Sequence, residues 1–364
     1  MTTNTQIEDF ATATGETLLD SLEALGMSQV ELAERIGLDK KTINLIINGT
    51  QPITHKTALA LEKVLRVPAR FWLNLEANYR EHLARQEEAK QLAVYADWAR
   101  TFPYPSMVKH GFIEAASKAE EKAMHLLRYF GVATPQQWQS CYAEMHLELS
   151  YRKSPHVDEK LAGIASWLRQ GELRANQTET AEFDAKRFQE ALVEMRTFTT
   201  DSVKEFYPKM QALCASAGVI YQLVPELPGL GVSGVMRWFQ KRPMIQQSLL
   251  FKTNDNFWFT FFHEAKHVLQ QRKKSIFLEG EKADNADATR EEEANRFAGE
   301  LLIPSAKFER FVTKTPRFTS PAVRDFAESV GIHPGIVSGR LLRDGYLSYT
   351  DPAAKLRAKF AWKK

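Results

Sequence analysis

Residues 257–270 read FWFTFFHEAKHVLQ. Six mostly apolar residues lead directly into His263, Glu264 and His267. On a helix, residues four apart share a face, so the two imidazoles can turn toward one point. Zinc takes neutral imidazole nitrogens at about 2.0–2.1 Å, and this spacing supplies two of them. Glu264 sits beside the first. It can reach a water at that point without ligating, take its proton and pass it to a leaving amine. The apolar run predicts a helix over about 257–271.

A catalytic zinc needs a third protein ligand and one open position. REEEANRFAGELLIP (290–304) offers it: Glu291 stands 24 residues after His267, at the head of a second helix expected over about 291–302 and ended by Pro304. Asn295, four residues on, shares that face and can hydrogen-bond a ligating imidazole. Glu292 and Glu293 compete for the ligand role. Glu291 is preferred because its register with Ala294, Asn295 and Ala298 turns small or polar residues toward the first helix, while Phe297, Leu301 and Leu302 can enter a core. KKSIFLEGEKADNADATR (273–290) reads as a polar loop between the two helices. An H-E-x-x-H spacing also occurs on ordinary helix surfaces. Here the upstream strands, the aromatic approach and the downstream acidic helix all favour a metal site.

Those strands are GVIYQLV (218–224), GVSGVMRWF (231–239) and MIQQSLLF (244–251), β-rich runs separated by Pro- and Gly-containing breakers. MIQQSLLF is expected at the sheet edge, where an extended peptide could be laid against it. The tail, 316–346, reads as short helices. The last residues, AAKLRAKFAWKK, read as a basic solvated end.

A different logic governs MSQVELAERIGLDKKTINLIINGTQPIT near the amino terminus. Ser28 followed by Glu31 makes a capping box. Val30, Leu32, Ala33 and Ile36 form one buried side, Gly37 turns the chain, and Asp39 caps the next helix. Ile43, Ile46 and Ile47 anchor that helix. Lys40, Lys41, Thr42, Asn44 and Asn48 then face outward, as donors suited to phosphates and base edges. Gln29, at a helix start, can meet a phosphate. This is the plan of a helix-turn-helix directed at double-stranded operator DNA; a helical hairpin with a merely solvated polar face is the plainer reading of the same pattern.

The 364 residues suggest two or three domains, and 44% hydrophobic with 26% charged residues is ordinary for a globular protein. A net charge of +3 does not by itself announce nucleic acid, so DNA binding must rest on a local patch. No apolar run approaches the ~18 residues that span a bilayer. The start, MTTNTQIEDF, lacks a basic region followed by an apolar core, so no signal peptide is expected. Two isolated cysteines, Cys141 and Cys214, read as core residues of a protein from a reducing cytoplasm. Residues before about 15 are expected to fray. SKAEEKAMHLLRYFG (117–131) and FDAKRFQEALVEMRTF (183–198) are amphipathic helices, with RKSPH (152–156) and RQGELRANQTET (169–180) reading as loops or helix ends between them. The expectation is a multi-domain chain: an all-α helix-turn-helix domain at 15–85, a helical middle region at 86–200 without an assignable motif, and an α+β domain at 201–350.

Residues 15–80, above all NGTQPIT and FWLNLEANY, resemble the HigA-type antitoxins within the Cro/phage-repressor (XRE) helix-turn-helix class. That resemblance implies a homodimer that binds its operator and represses its own promoter, with a cognate toxin as partner in many cases. DNFWFTFFHEAKHVL, EEEANRFAGELLIP and GIHPGIVSGRLLRDG together resemble the ImmA/IrrE family of zinc peptidases, over about 200–346. This implies a zincin-like, gluzincin-type site, with His263, His267 and Glu291 as zinc ligands and Glu264 as base; relatives cleave repressor proteins. One departure is Lys266, where the family usually has glycine or another small residue before the second histidine. His333 and Arg340 are the other residues of note; His333 could stabilise an oxyanion, but helix capping or a buried hydrogen bond is the simpler role for both. Three functions follow: a DNA-binding regulator carrying a zinc endopeptidase that cuts a protein partner or itself; an antitoxin-like repressor whose zinc domain is structural or sensory; or a toxin restrained in cis.

Overall fold

The computed structural model describes residues 12–143, 145, 157–271 and 285–362. The first eleven residues, the expected loop at 152–156 and residues 273–284 of the expected polar loop lie outside this set. The chain divides into two compact units: one runs to Ala96 and includes Lys118–Ala123, and the other holds Asp97–Ser117 and everything from Met124 onward. The described residues are predominantly helical, with one small mixed sheet. None of their helices is long and apolar enough to cross a membrane.

The amino-terminal unit contains α1 (Thr14–Ala24), α2 (Gln29–Ile36), α3 (Lys40–Ile47), α4 (His55–Leu65) and α5 (Ala69–Val94). Each of the three central starts is capped. Ser28 Oγ accepts from the Glu31 N–H at 3.1 Å, Asp39 Oδ1 from the Thr42 N–H at 2.6 Å, and Thr54 Oγ1 from the Thr57 N–H at 3.2 Å. These bonds satisfy amides that a helix start leaves without partners. Gly37 ends α2 at φ 68°, a left-handed conformation that costs a glycine little. Leu18, Leu32, Ile43, Ile46 and Trp72 fill the core between the helices. Two details differ from the sequence reading. Val30 is 43% exposed, because the α2 stripe that faces inward is Leu32–Ala33. The Glu31 carboxylate, expected to close a capping box, pairs with Arg35 one turn on. Helix α5 is continuous through residue 85, where the sequence reading ended the domain.

The second unit opens with aromatic packing. Around α6 (Ala96–Arg100), α7 (Tyr104–Lys109), α8 (Ala119–Phe130) and α9 (Pro135–Cys141), Phe102 and Trp138 lie 5.2 Å apart between ring centroids, and Phe130 and Trp138 5.7 Å. Edge-on ring pairs of this kind add to ordinary area burial. Cys141 is exposed at the end of α9, unlike the core position expected for it, while Cys214 is buried.

Next come α10 (Val157–Ala175), α11 (Ala185–Arg196), α12 (Val203–Ser216), β1 (Ile220–Leu223), β2 (Gly234–Phe239) and β3 (Arg242–Gln247). The strand order is β1-β3-β2, with β1 parallel and β2 antiparallel to β3. Both faces of the sheet are covered. Ile220 and Met244 meet Ala175 of α10, whereas Tyr221, Ile245 and Met236 join the main core with Phe206. Burial on both faces explains why β1 is buried at every position instead of alternating. Helix α10 is also tied to the sheet by polar bonds: Gln246 Nε2 donates to the Trp167 carbonyl at 2.6 Å, and Trp167 Nε1 to the Val224 carbonyl at 3.2 Å. The expected edge strand, MIQQSLLF, is therefore misplaced. Its first four residues belong to the central strand, and β2 is an edge.

The chain finishes with α13 (Asn254–Leu269), α14 (Asn285–Leu302), α15 (Ser305–Lys314), α16 (Ser320–Val330) and α17 (Pro334–Arg343). Helix α14 begins six residues before the expected start, inside the stretch read as a loop. The basic tail is not merely solvated. The Phe360 ring packs 5.3 Å from Phe257, and Trp362 Nε1 donates to Glu226 at 2.7 Å.

Candidate metal centre

Helix α13 explains its own aromatic sequence. Phe257, Trp258, Phe261, Phe262, Ala265 and Val268 are all buried in the main core. Their rings meet Phe206 at 5.0–5.3 Å and Tyr221 at 5.1 Å. The stripe locks the helix in rotation and leaves His263 and His267 on the side that faces α14. On that helix Ala294 and Ala298 are fully buried, and small side chains there allow close approach.

Between the two helices, His263 Nε2 and His267 Nε2 stand 3.1 Å apart. The Glu291 carboxylate spans them, with Oε2 3.1 Å from His263 Nε2 and Oε1 3.3 Å from His267 Nε2. Among the described residues these three form the one group of His, Cys, Asp or Glu close enough to hold a metal ion. The outer ring nitrogens set the tautomers. His263 Nδ1 faces Asn295 Oδ1 at 3.1 Å, and His267 Nδ1 faces Gln270 Oε1 at 2.9 Å. An amide oxygen only accepts, so each Nδ1 carries the hydrogen and each Nε2 turns a lone pair inward. The Gln270 orientation is fixed in turn by its Nε2, which donates to Glu293 Oε2 at 3.0 Å.

Two imidazole lone pairs and a carboxylate thus converge with no donor hydrogen among them, an arrangement that a cation relieves. Ligand bonds of about 2.0–2.2 Å in tetrahedral geometry need ligand atoms roughly 3.3 Å apart, close to the spacing found. The donor set, two nitrogens and one carboxylate, suits zinc.

Glu264 lies on the same helix next to His263, against strand β2, where the Met236 backbone N–H donates to it. Burial raises its pKa; the two imidazoles and the Met236 N–H pull in the opposite sense, and the net direction is up. For His263, burial works to lower the pKa, but protonation of the ring would give it a donor toward Glu291, and that bond together with the charges of Glu264 and Glu291 outweighs burial, so the net direction is up. Strand and helix approach closely here: a Cβ placed on Gly234 would lie 2.6 Å from Thr260 Cγ2 and 3.1 Å from Glu264 Cγ. Lys266 turns away, its Nζ 5.6 Å from the centre of the Phe297 ring on α14. His333 is the N-cap of α17, its Nδ1 accepting from the Gly335 N–H at 2.9 Å. Arg340 donates to the Ile303 carbonyl at 2.7 Å and stacks on Phe308. Of the competing glutamates, Glu293 holds Gln270 and Glu292 is exposed.

Sequence reasoning missed Gln270 and the Met236 amide. Gln270 has a readable signal, since it stands three residues after His267. The amide has none, because it comes from a strand distant in sequence.

In the amino-terminal unit, Lys40, Lys41, Asn44 and Asn48 are exposed along α3 and its cap. Asn48 Nδ2 donates to Asn44 Oδ1 at 3.3 Å. Thr42 is half-buried and is engaged by Asp39 through its backbone N–H and its hydroxyl. Gln29 is the first residue of α2.

Comparison with known proteins gives two family matches. Residues 19–72 match the family model described as helix-turn-helix, and residues 239–341 match that described as an IrrE N-terminal-like domain. The HTH-type transcriptional regulator YbaQ of Escherichia coli strain K12 is 30% identical over 93 residues, which is 24% of this chain and 82% of that protein. The same regulator from Escherichia coli O6:H1 gives the same values. A solved HigA-family addiction module antidote protein from Coxiella burnetii is 32% identical, covers 23% of this chain and 91% of its own, and superposes with a TM-score of 0.22.

Proposed function

Because the chain belongs to the helix-turn-helix transcriptional regulators and carries an IrrE N-terminal-like domain, we propose that it is a DNA-binding regulator with a working zinc endopeptidase of gluzincin type. The observation that carries this reading is the convergence of His263, His267 and Glu291 beside an unligated Glu264. The amino-terminal unit binds double-stranded operator DNA as a homodimer. Lys40 and Lys41 take phosphates, Asn44 and Asn48 read base edges, and Gln29 and Thr42 fix the register. The peptidase cuts a regulatory protein partner or the chain itself.

His263, His267 and Glu291 hold the zinc, with Asn295 and Gln270 orienting the imidazoles. When bound, zinc acidifies water and polarises a carbonyl. Glu264 accepts the proton released in the attack and returns it to the leaving amine. Its place beside the first ligand, outside the ligand set, suits both halves of that task. The Met236 N–H keeps the carboxylate aimed. An extended substrate is laid against β2, the edge strand beside Glu264.

The test is Glu264→Gln. The variant should keep fold, zinc content and operator binding, while turnover of a partner protein falls about 10²- to 10⁴-fold. If wild type and variant match in partner turnover, self-cleavage and repression, the enzymatic reading fails. An antitoxin-like repressor with a structural or sensory zinc module would then remain.

A further inference from the structure

One helical turn before His263, the α13 surface forms a wall of a cavity of about 390 Å³. Phe259 and Thr260 line it, and the Phe259 ring lies 6.3 Å from the His263 ring. Thr260 is also the residue whose methyl meets Gly234 of β2. The cavity thus approaches the metal cluster through Phe259 and the edge strand through Thr260. A peptide advances about 3.3 Å per extended residue, so a chain with its scissile bond at the cluster would bring a neighbouring side chain to this opening.

The lining has a marked charge imbalance. Arg340, Arg343 and Arg357 contribute three guanidinium groups, against the single carboxylate of Asp255. Arg357 stands 3.6 Å from Asp255. Asp344, outside the lining, is shared between Arg340 at 3.5 Å and Arg343 at 3.1 Å. Glu300, the other nearby acid, is held by Ser305. Arg340 also donates to the Ile303 carbonyl at 2.7 Å and Arg357 to the Ala354 carbonyl at 3.5 Å, and with five donors per guanidinium the three groups still have donors to spare. Arg343 lies over the Phe259 ring at 5.3 Å, and that ring stands between it and His263. The remaining floor is apolar, with Leu302, Ile303 and Ile336.

On the basis of the peptidase reading above, we propose that this cavity is a specificity subsite for an acidic side chain of the substrate, Glu above all, flanking the scissile bond, with Arg343 and Arg357 as the groups that recognise it. An apolar stem rests on the floor, and the carboxylate meets the guanidinium pair.

The test reads binding, separately from hydrolysis. Two oligopeptide pools with blocked termini and a neutral fluorophore, uncharged except that one carries Glu where the other carries Gln, are titrated against zinc-loaded, full-length Glu264→Gln protein by anisotropy. The Glu pool should bind about tenfold more tightly at low salt. Adding Arg343→Glu should reverse the preference toward a pool with Lys at that position, and adding Arg343→Lys should retain it. Circular dichroism and zinc content confirm that each variant is folded. Equal affinity of the Glu and Gln pools, or an unchanged preference in Arg343→Glu, overturns the subsite. So does tight binding of glutarate alone, which would reassign the cavity to a free acid. If acidic peptides bind as expected but wild type cleaves nothing, the peptidase reading fails and the subsite stands; if wild type cleaves with no acidic preference, the subsite fails and the peptidase stands.

Discussion

Asn295 Oδ1 lies 3.1 Å from His263 Nδ1, four residues along α14 from the Glu291 carboxylate that meets the other nitrogen of the same ring. One face of one helix therefore grips the imidazole from both ends. The oxygen selects the tautomer with its lone pair inward, so its removal should cost metal affinity without removing a ligand. Asn295→Ala, and equally Gln270→Leu at His267, is expected to weaken zinc binding about 10- to 100-fold. Competition against a chelating dye measures this. Unchanged affinity in both variants would show that the rings need no such support.

Lys266 stands where related sequences were expected to carry a small residue, yet its ammonium faces Phe297 and not the cluster. Lys266→Gly should therefore leave zinc affinity alone and lower stability. Glycine inside a helix costs about 0.5–1 kcal/mol, and the lost contact with the ring roughly as much again. Denaturant midpoints together with metal titration separate the two effects. A large change in zinc affinity would place Lys266 in the site after all.

Parts of this arrangement were written locally in the sequence. The four-residue spacing of His263 and His267 is a helical period, and the register of Glu291 with Ala294 and Ala298 is another, so each helix announces which side it turns inward. What brings β2 over Glu264 is not local. Gly234 and Met236 gain meaning only once β3 has taken the centre of the sheet, and strand order depends on packing partners far along the chain. The tail fails in the same way. Its lysines suggest solvent, but Phe360 and Trp362 find Phe257 and Glu226, residues more than a hundred positions earlier. Val30 shows a smaller failure, since a short helix exposes apolar residues that its period alone would bury.

The contact between Gly234 and Thr260 leaves no room for a side chain. A Cβ there would stand 2.6 Å from Thr260 Cγ2 and 3.1 Å from Glu264 Cγ, so strand or base must shift. Gly234→Val is expected to keep zinc and lose turnover, about 10²-fold for a displacement near 1 Å. Equal zinc content with undiminished cleavage would show that the base position tolerates the strand moving.

Acid should loosen the start of α3. The Thr42 backbone N–H, the largest influence, holds the Asp39 pKa below its ordinary value of 3.8. A carboxylate with a depressed folded pKa stabilises the fold above its unfolded pKa and loses that contribution as pH falls through the folded one. The loss therefore lies at pH values below about 4. Asp39→Asn retains a capping oxygen without a titrating group, so its thermal stability should fall less steeply than wild type across that acid window. Parallel acid profiles for the two proteins would remove Asp39 as the origin of the slope.

Lys41 and Asn44 sit three residues apart on the exposed side of α3, and their chemistry predicts different losses. An ammonium on a phosphate displaces a condensed counterion, so Lys41→Ala should weaken specific and random duplexes alike and flatten the logarithmic salt dependence by about 0.9. A carboxamide on a base edge reads sequence, so Asn44→Ala should cost about 1–3 kcal/mol on the operator and little on random DNA. Gel shifts across a salt series, with operator and scrambled duplexes, distinguish these outcomes. If Asn44→Ala weakens both duplexes equally, α3 does not lie in the major groove with that side chain on a base. If neither variant changes affinity, a different face of the amino-terminal unit meets DNA.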